Sequence, residues 1–386
     1  MAQIKDIEQY REQKKRKKIV HRIIIGSVLL FLIIVGAILI PRAINGELTL
    51  WWRAQTGQGS QTQGFPVTLP SGKAVSLRQA GSDFVLLGDS SLYVYNSFGV
   101  ELNRVQHGYG DPGMAVAGNR ILVFDRGGNG VKVCTKSQEV FKKTFETTIF
   151  TAALSEDGKV AVATAAEGYA AELTVCDSKN RELFRVGLTE QVSGLTFSPD
   201  GKKITILTVS SEGGKMFSSV ITFRLDSSNA LYRTDYADVL LLSASYKADG
   251  KLCVVGDTLT ALLNDSGDTV AEYNYEDREL ITFSAKPDGS VVLVFTDPAN
   301  NRIKQIEIVD SAGRLIGKGE SESNKAIIDC DGSRVLFLAD DTLRFFDMQG
   351  SLINEIEVDR TGCGITAAGS YVYVMTEEEI HRFSVS

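Results

Sequence analysis

The sequence predicts an all-β protein: a β-propeller of eight four-stranded blades, preceded by one transmembrane α-helix. Three observations carry this. A glycine turn recurs about every forty residues, a second Asx-type turn stays in phase with it, and one uncharged apolar run stands near the N-terminus. Seven blades is the alternative count.

The apolar run covers residues 23–40, 18 residues without a charge. At 1.5 Å per residue it reaches about 27 Å, close to the hydrocarbon thickness of a bilayer. Ile23, Leu30 and Ile40 mark its start, middle and end as a membrane anchor. Lys14-Lys15-Arg16-Lys17-Lys18 and Arg22 precede it, and only Arg42 and Arg53 follow in the next thirty residues. The positive-inside rule therefore makes residues 1–22 a cytoplasmic basic tail, able to touch anionic lipid, and exports the rest. Pro41-Arg42-Ala43-Ile44 offers no small-residue cleavage pattern, so the anchor is retained. Residues 41–64 read as a juxtamembrane linker. Its Gly/Gln/Ser-rich end, residues 57–64, is flexible in composition, and Trp51 and Trp52 suit the outer interface.

Charge divides the chain at the same place. Residues 1–42 hold nine Lys or Arg and three Asp or Glu, a net of +6. The remainder holds 32 basic and 45 acidic side chains, a net of −13. A domain this acidic repels a phosphate backbone, which excludes nucleic acid as a partner.

Residues 65–386 carry the repeat. The turn glycines are Gly81, Gly118, Gly158, Gly201, Gly250, Gly289, Gly332 and Gly369, spaced by 37, 40, 43, 49, 39, 43 and 37 residues. Each precedes a β-rich apolar run such as VVLVF after Asp288-Gly289-Ser290. Inside each unit a second turn opens with Asp or Asn and closes with Gly or Asn. Asn96–Gly99, Asp177–Asn180, Asp226–Asn229, Asp310–Gly313 and Asp347–Gly350 are the copies. The last unit has room for three strands only. Residues 65–69 form an orphan strand that would complete it, close the ring and remove an open edge. Pro66 suits an outermost strand.

At Ser198-Pro199-Asp200-Gly201-Lys202 and Val309-Asp310-Ser311-Ala312-Gly313 the repeat resembles bacterial propellers with WD-like or quinoprotein-like blades. With its anchor, the whole chain resembles the membrane-anchored propellers of unknown function of Gram-positive bacteria. The resemblance covers about residues 65–386 and speaks to fold more than to function. The Gly-His and Trp-Asp pairs of eukaryotic WD repeats are absent, and no tryptophan lies within the repeat region. Quinone-cofactor binding fits poorly, and no cofactor is expected.

Loops between blades, and loops between the second and third strands of a blade, share one face of a propeller. Here they include Asp89, residues 107–111, Asp125-Arg126, Glu167, residues 210–212, Asp235–Asp238, Glu276-Asp277-Arg278, Asp297, residues 319–322, Asp340-Asp341 and Glu377-Glu378-Glu379. That face is expected to be acidic. The opposite face carries Lys159, Lys202, Lys203, Lys247, Lys251 and Lys286, so charge is expected to be polarised between the two. His107, Tyr109, Asp111, Asp125 and Arg126, from adjacent blades, form the chemically richest corner. Asp340, Asp341, Glu377 and Glu378 form the densest acidic group. An Arg126 pair with Asp111 or Asp125 is the plain structural alternative for the first.

The sequence has no G-x-S-x-G, P-loop, HExxH or EF-hand motif. His21, His107 and His381 are too far apart in the repeat to make a cluster, and no metal site is expected. The five cysteines, Cys134, Cys176, Cys253, Cys330 and Cys363, lack metal spacing and read as buried free thiols, with a Cys330–Cys363 bridge left open. The leading reading is a non-catalytic, membrane-tethered protein-binding or scaffold propeller at the outer face of the cell membrane. It would present its acidic loops to an envelope protein or peptide. The alternative is a hydrolase or lyase of an envelope polymer, using carboxylates in the central funnel.

Overall fold

The glycine turns work because their backbone enters the left-handed region, as at Gly158 (φ +87°) and Gly201 (φ +64°). Each turn reverses one apolar strand onto the next. In the computed structural model the described residues are 64–384, except 71, 286–288 and 359–360. The expected basic tail, the membrane anchor at Ile23, Leu30 and Ile40, nearly all of the linker, and Lys286 lie outside them.

No helix occurs among the described residues; they form eight four-stranded antiparallel sheets. Blades 1 to 7 each use four consecutive strands, named a to d in chain order. They span 74–106, 112–144, 149–188, 191–237, 241–274, 280–322 and 327–357. Blade 8 takes Gly362–Ala368, Tyr371–Thr376 and Glu379–Ser384 as strands a to c. Its strand d is Val67–Thr68, paired antiparallel with Ile380 and Glu379. The closure expected for residues 65–69 is therefore present, and the count is eight.

The a strands touch their neighbours around the hub from blade 1 to blade 5 and from blade 6 to blade 8, and those of blades 8 and 1 meet as well. Strands b are buried on both faces, as in Val291–Thr296, because a blade is covered by a neighbour on each side. Eight hydrophobic clusters result, one between each pair of adjacent blades. The cluster between blades 8 and 1 is the most aromatic. Phe84 lies 4.4 Å from Tyr373 and 5.3 Å from Tyr95, and Phe65 packs on both Phe84 and Tyr373. Arg382 covers the Phe65 ring at 4.8 Å.

The 49-residue spacing comes from a longer hairpin, not from a hidden blade. In blade 4, strands b and c run ten residues each, Lys203–Glu212 and Lys215–Arg224, around a Gly213-Gly214 tip. Residues 210–212 are thus strand, not loop. Asp235 lies in Ala230–Ala237, and residues 319–322 end Leu315–Glu322, so those expected loops are strand ends as well. The turn between strands c and d of blade 5 is a further Asx turn. Asn264 Oδ1 accepts from the amides of Ser266 and Asp268, both at 2.9 Å. None of the five cysteines is in a disulfide; Cys134, Cys176 and Cys253 are buried, Cys330 is half-buried and Cys363 exposed. The exposed Cys363 departs from the buried reading because it occupies a register shift between Gly362 and Gly364.

A second regularity concerns strand d. In blades 1 to 7 the pairing of strand d with strand c skips one residue just after the Asx-type turn. The skipped residue is aliphatic each time: Leu102, Val140, Leu183, Leu231, Val270, Ile316 and Ile353. A bulge re-aims the side chain it carries, and all of these except Leu102 are exposed.

Candidate functional site

The inter-blade loop after blade 1 and the b–c loop of blade 2 meet on one face. Asp125 Oδ1 accepts from the amides of Gly110 and Asp111 at 3.0 and 3.2 Å. The Arg126 amide donates to the Asp111 carbonyl at 2.9 Å. Two sequence-distant loops are thereby stitched together. Gly128 is required here, since a Cβ would lie 2.0 Å from the Asp125 carboxylate. Tyr109 lies over Gly130, whose Cβ would stand 2.7 Å from the ring.

His107 is fully used. Its Nδ1 accepts from the Tyr109 amide at 3.1 Å, so its Nε2 carries the proton and donates to the Gly88 carbonyl, also at 3.1 Å. Burial lowers its pKa below the usual 6.5, outweighing the bond to Gly88. Tyr109 is likewise pushed up by burial, to about 12. Both ring nitrogens of His107 are thus engaged within the loop junction. Arg126 reaches Asp111 at 4.0 Å, with both side chains more than half exposed, as the plain alternative expected. All five residues do come together. What they present outward is a charged pair on a locked loop junction.

The sign of the His107 effect is fixed. A folded-state pKa below the unfolded value means that the unfolded chain binds more protons in between. Stability is therefore full above pH 6.5 and falls as the pH drops from there toward the folded value. Titration of the His107 ring by NMR should show a pKa below 6.5 with Nε2 protonated, and His107→Gln should remove that part of the pH dependence of Tm. A ring titrating at or above 6.5 contradicts this geometry.

The second group lies on the same face, in blades 7 and 8. Asp340 adopts φ +52°, and its carboxylate accepts from the Asn324 amide and side chain at 3.2 and 3.4 Å. The Asp341 carbonyl accepts from Val358 at 2.6 Å, and the Glu378 carbonyl accepts from Leu69 at 2.7 Å. The side chains of Asp341, Glu377 and Glu378 stay exposed. Blades 7, 8, 1 and 2 follow one another around the ring, so the two groups belong to one continuous arc.

The opposite face corrects one expectation. Its lysines do not make it basic, because its own turns neutralise them. Lys159 pairs with Asp157, Lys203 with Asp265 at 2.7 Å, Lys202 with Asp200 at 3.7 Å, and both Lys247 and Lys251 with Asp249 at 3.7 and 3.0 Å. Each of these five lysines is thus matched by a carboxylate.

Near the turn ends of the a strands of blades 2 to 5 a cavity of about 400 Å³ opens beside Ala117, Ser155, Glu156, Ser198 and Tyr246. Glu156 is the single carboxylate among its lining residues, whereas glycoside cleavage needs two that face each other. Among the described residues no group of three or more His, Cys, Asp or Glu is placed to hold a metal ion.

Sequence reading missed a buried charge centre. Glu307, 2% exposed in strand c of blade 6, accepts from Tyr273 Oη at 2.7 Å. It also pairs with Arg278 Nη1 and Lys318 Nζ, both at 2.9 Å. It ties blade 5, the next inter-blade loop and blade 6 together.

Eight blades around one hub, closed by a strand from the other end of the chain, define an eight-bladed β-propeller. The chain belongs to the DUF5711 family, a family of unknown function, which it matches over residues 67–384. The fold is similar to that of BamB from Moraxella catarrhalis, at TM-score 0.54 and 10% identity, covering 80% of this chain and 92% of that one. It is also similar to Chaetomium thermophilum Sqt1 bound to the N-terminus of the ribosomal protein L10, at TM-score 0.58 and 11% identity, covering 83% and 100%. The Dos1 propeller gives TM-score 0.59 at 14% identity, covering 83% and 93%. These likenesses are of fold. No curated protein sequence matches the chain significantly.

Proposed function

We propose that this protein is a non-catalytic binding propeller, tethered by residues 23–40 to the outer face of the membrane of a Gram-positive cell. Its N-terminus lies in the cytoplasm, and its acidic loop face receives a basic protein or peptide of the envelope. The observation that carries the reading is the exposed acidic group of blades 7 and 8, Asp341, Glu377 and Glu378, on a scaffold whose His107 ring is hydrogen-bonded at both nitrogens. The Sqt1 propeller bound to the N-terminus of a protein offers a parallel for peptide capture by such a ring. The lone carboxylate at the hub cavity weighs against the hydrolase or lyase reading.

The test uses the full chain in native membranes. Partners are fixed by crosslinking in wild type and in the combined variant Asp340→Asn, Asp341→Asn, Glu377→Gln, Glu378→Gln. Crosslinked yield is expected to fall about tenfold, and to fall in wild type as salt rises, since complementary surface charge speeds association and is screened. Unchanged yield together with release of glycan fragments would transfer the case to the enzyme.

A further inference from the structure

The chain enters the ring from one identifiable end. Leu69 is bonded to the b–c loop of blade 8 on the acidic face, whereas Phe65 lies against Gly99 in the Asx turn of blade 1. Arg382 Nη1 donates to the Ser97 carbonyl of that same turn at 2.7 Å and fixes it beside Phe65. Strand d of blade 8 therefore runs from the turn face toward the acidic face, and the chain enters the ring at the turn face.

That face is also where the bulge-borne aliphatic residues stand, each just beyond an Asx-type turn. With the other exposed apolar side chains beside these turns counted, they are densest around the point where the chain enters. Blades 6 and 7 expose two apiece, Leu315 with Ile316 and Leu352 with Ile353, the last pair at 52% and 55%. Across blade 8, the turn of blade 1 exposes Phe98 at 63%, the highest value of any large hydrophobic residue among the described ones. Exposed apolar residues scattered singly need no explanation, but these crowd on one arc, with Ile316 and Ile353 at the recurrent bulge position. Two neighbouring charge pairs, Asp310–Arg314 at 2.7 Å and Asp331–Arg334 at 2.9 Å, are internally matched, which lowers the net charge opposing contact with an apolar medium.

We propose that the turn face is a membrane-docking face: Phe98, Leu315, Ile316, Leu352 and Ile353 seat against the outer leaflet of the bilayer that anchors the chain. This rests on the reading of residues 23–40 as an anchor. A linker of the length of residues 41–64 has an r.m.s. reach of about 27 Å. A surface held that close meets the leaflet at high effective concentration, so a weak apolar patch suffices to dock it. Docking would point the acidic loops away from the membrane, toward the envelope.

The test is full-length protein, with Cys363→Ser, reconstituted in phosphatidylcholine–phosphatidylglycerol nanodiscs containing doxyl-labelled lipid. A polarity-sensitive probe is placed at Ile353→Cys, at Phe98→Cys, or on the acidic side at Leu242→Cys. Docking is supported by blue-shifted, doxyl-quenched emission at 353 and 98 with unshifted, unquenched emission at 242. A Leu315→Glu, Leu352→Glu pair should abolish the quenching while leaving the thermal transition in place, since both side chains are exposed. If the chain resists carbonate extraction from cell membranes but the three probes respond alike, docking is overturned and the anchor stands. If carbonate extracts the chain, the anchor reading falls and the docking with it.

Discussion

Replacing Glu307 with alanine is expected to destabilise the propeller by about 3–5 kcal/mol, the cost of leaving a buried ionic partner uncompensated. Arg278 is itself largely buried and stacks over Phe295 at 4.3 Å, so it has little freedom to reach water. For a domain of this size that is a fall in Tm on the order of 5 °C. The pH dependence identifies the mechanism. Burial pushes the Glu307 pKa up, but the bonds from Arg278, Tyr273 and Lys318 outweigh it, and the net shift is downward from 4.5. A depressed folded-state pKa gives stability that is full above pH 4.5 and drains as pH falls through the folded value. Wild type and Glu307→Ala should therefore converge on acidification, as read by calorimetry at several pH values. A constant gap between them down to acid pH would mean that packing, and not charge, explains the loss.

Deleting residues 65–69 is expected to be comparably severe. It removes Val67 and Phe65 from the cluster between blades 8 and 1. Burial of two such side chains is worth about 4 kcal/mol in all. It also bares the edge of Glu379–Ser384, which then offers unpaired backbone groups to another chain. Calorimetry should show a lower and broader transition, and light scattering should show association at concentrations where the wild type stays single. An unaltered Tm would mean that the hub contacts alone hold the ring.

Much of this fold was legible because propeller repeats write their turns into the sequence. Asp-Gly and Asp-x-x-Gly mark positions where backbone geometry leaves few residue choices, and counting strands between them exposed an orphan at one end and a gap at the other. The placement of Asp341, Glu377 and Glu378 between second and third strands followed from the same phase. The interactions that join loops did not. Nothing local to Asp125 says that it will accept the amides of Gly110 and Asp111. Glu307, within the run IKQIEIV, reads as the outward member of an alternating strand, yet its partners come from residues 273, 278 and 318. The pairing of the lysines was partly available. Asp precedes Lys by two residues in Asp157-Gly158-Lys159 and Asp249-Gly250-Lys251, a spacing that lets one turn neutralise itself. Summing lysines by face ignored it. Lys203–Asp265 spans two blades and was beyond such local reading.

Val67–Thr68 is both the strand that completes the last blade and the first strand after the segment read as a tether. If a captured partner pulls against the bilayer, the load arrives at this junction before any other. The neighbouring grip of Phe65 under Arg382 and on Tyr373 is then a strain relief, taking up tension before it can peel the two-residue strand away. The mechanical weak point of the ring is its seam, and the aromatic clamp stands on the side from which force would come.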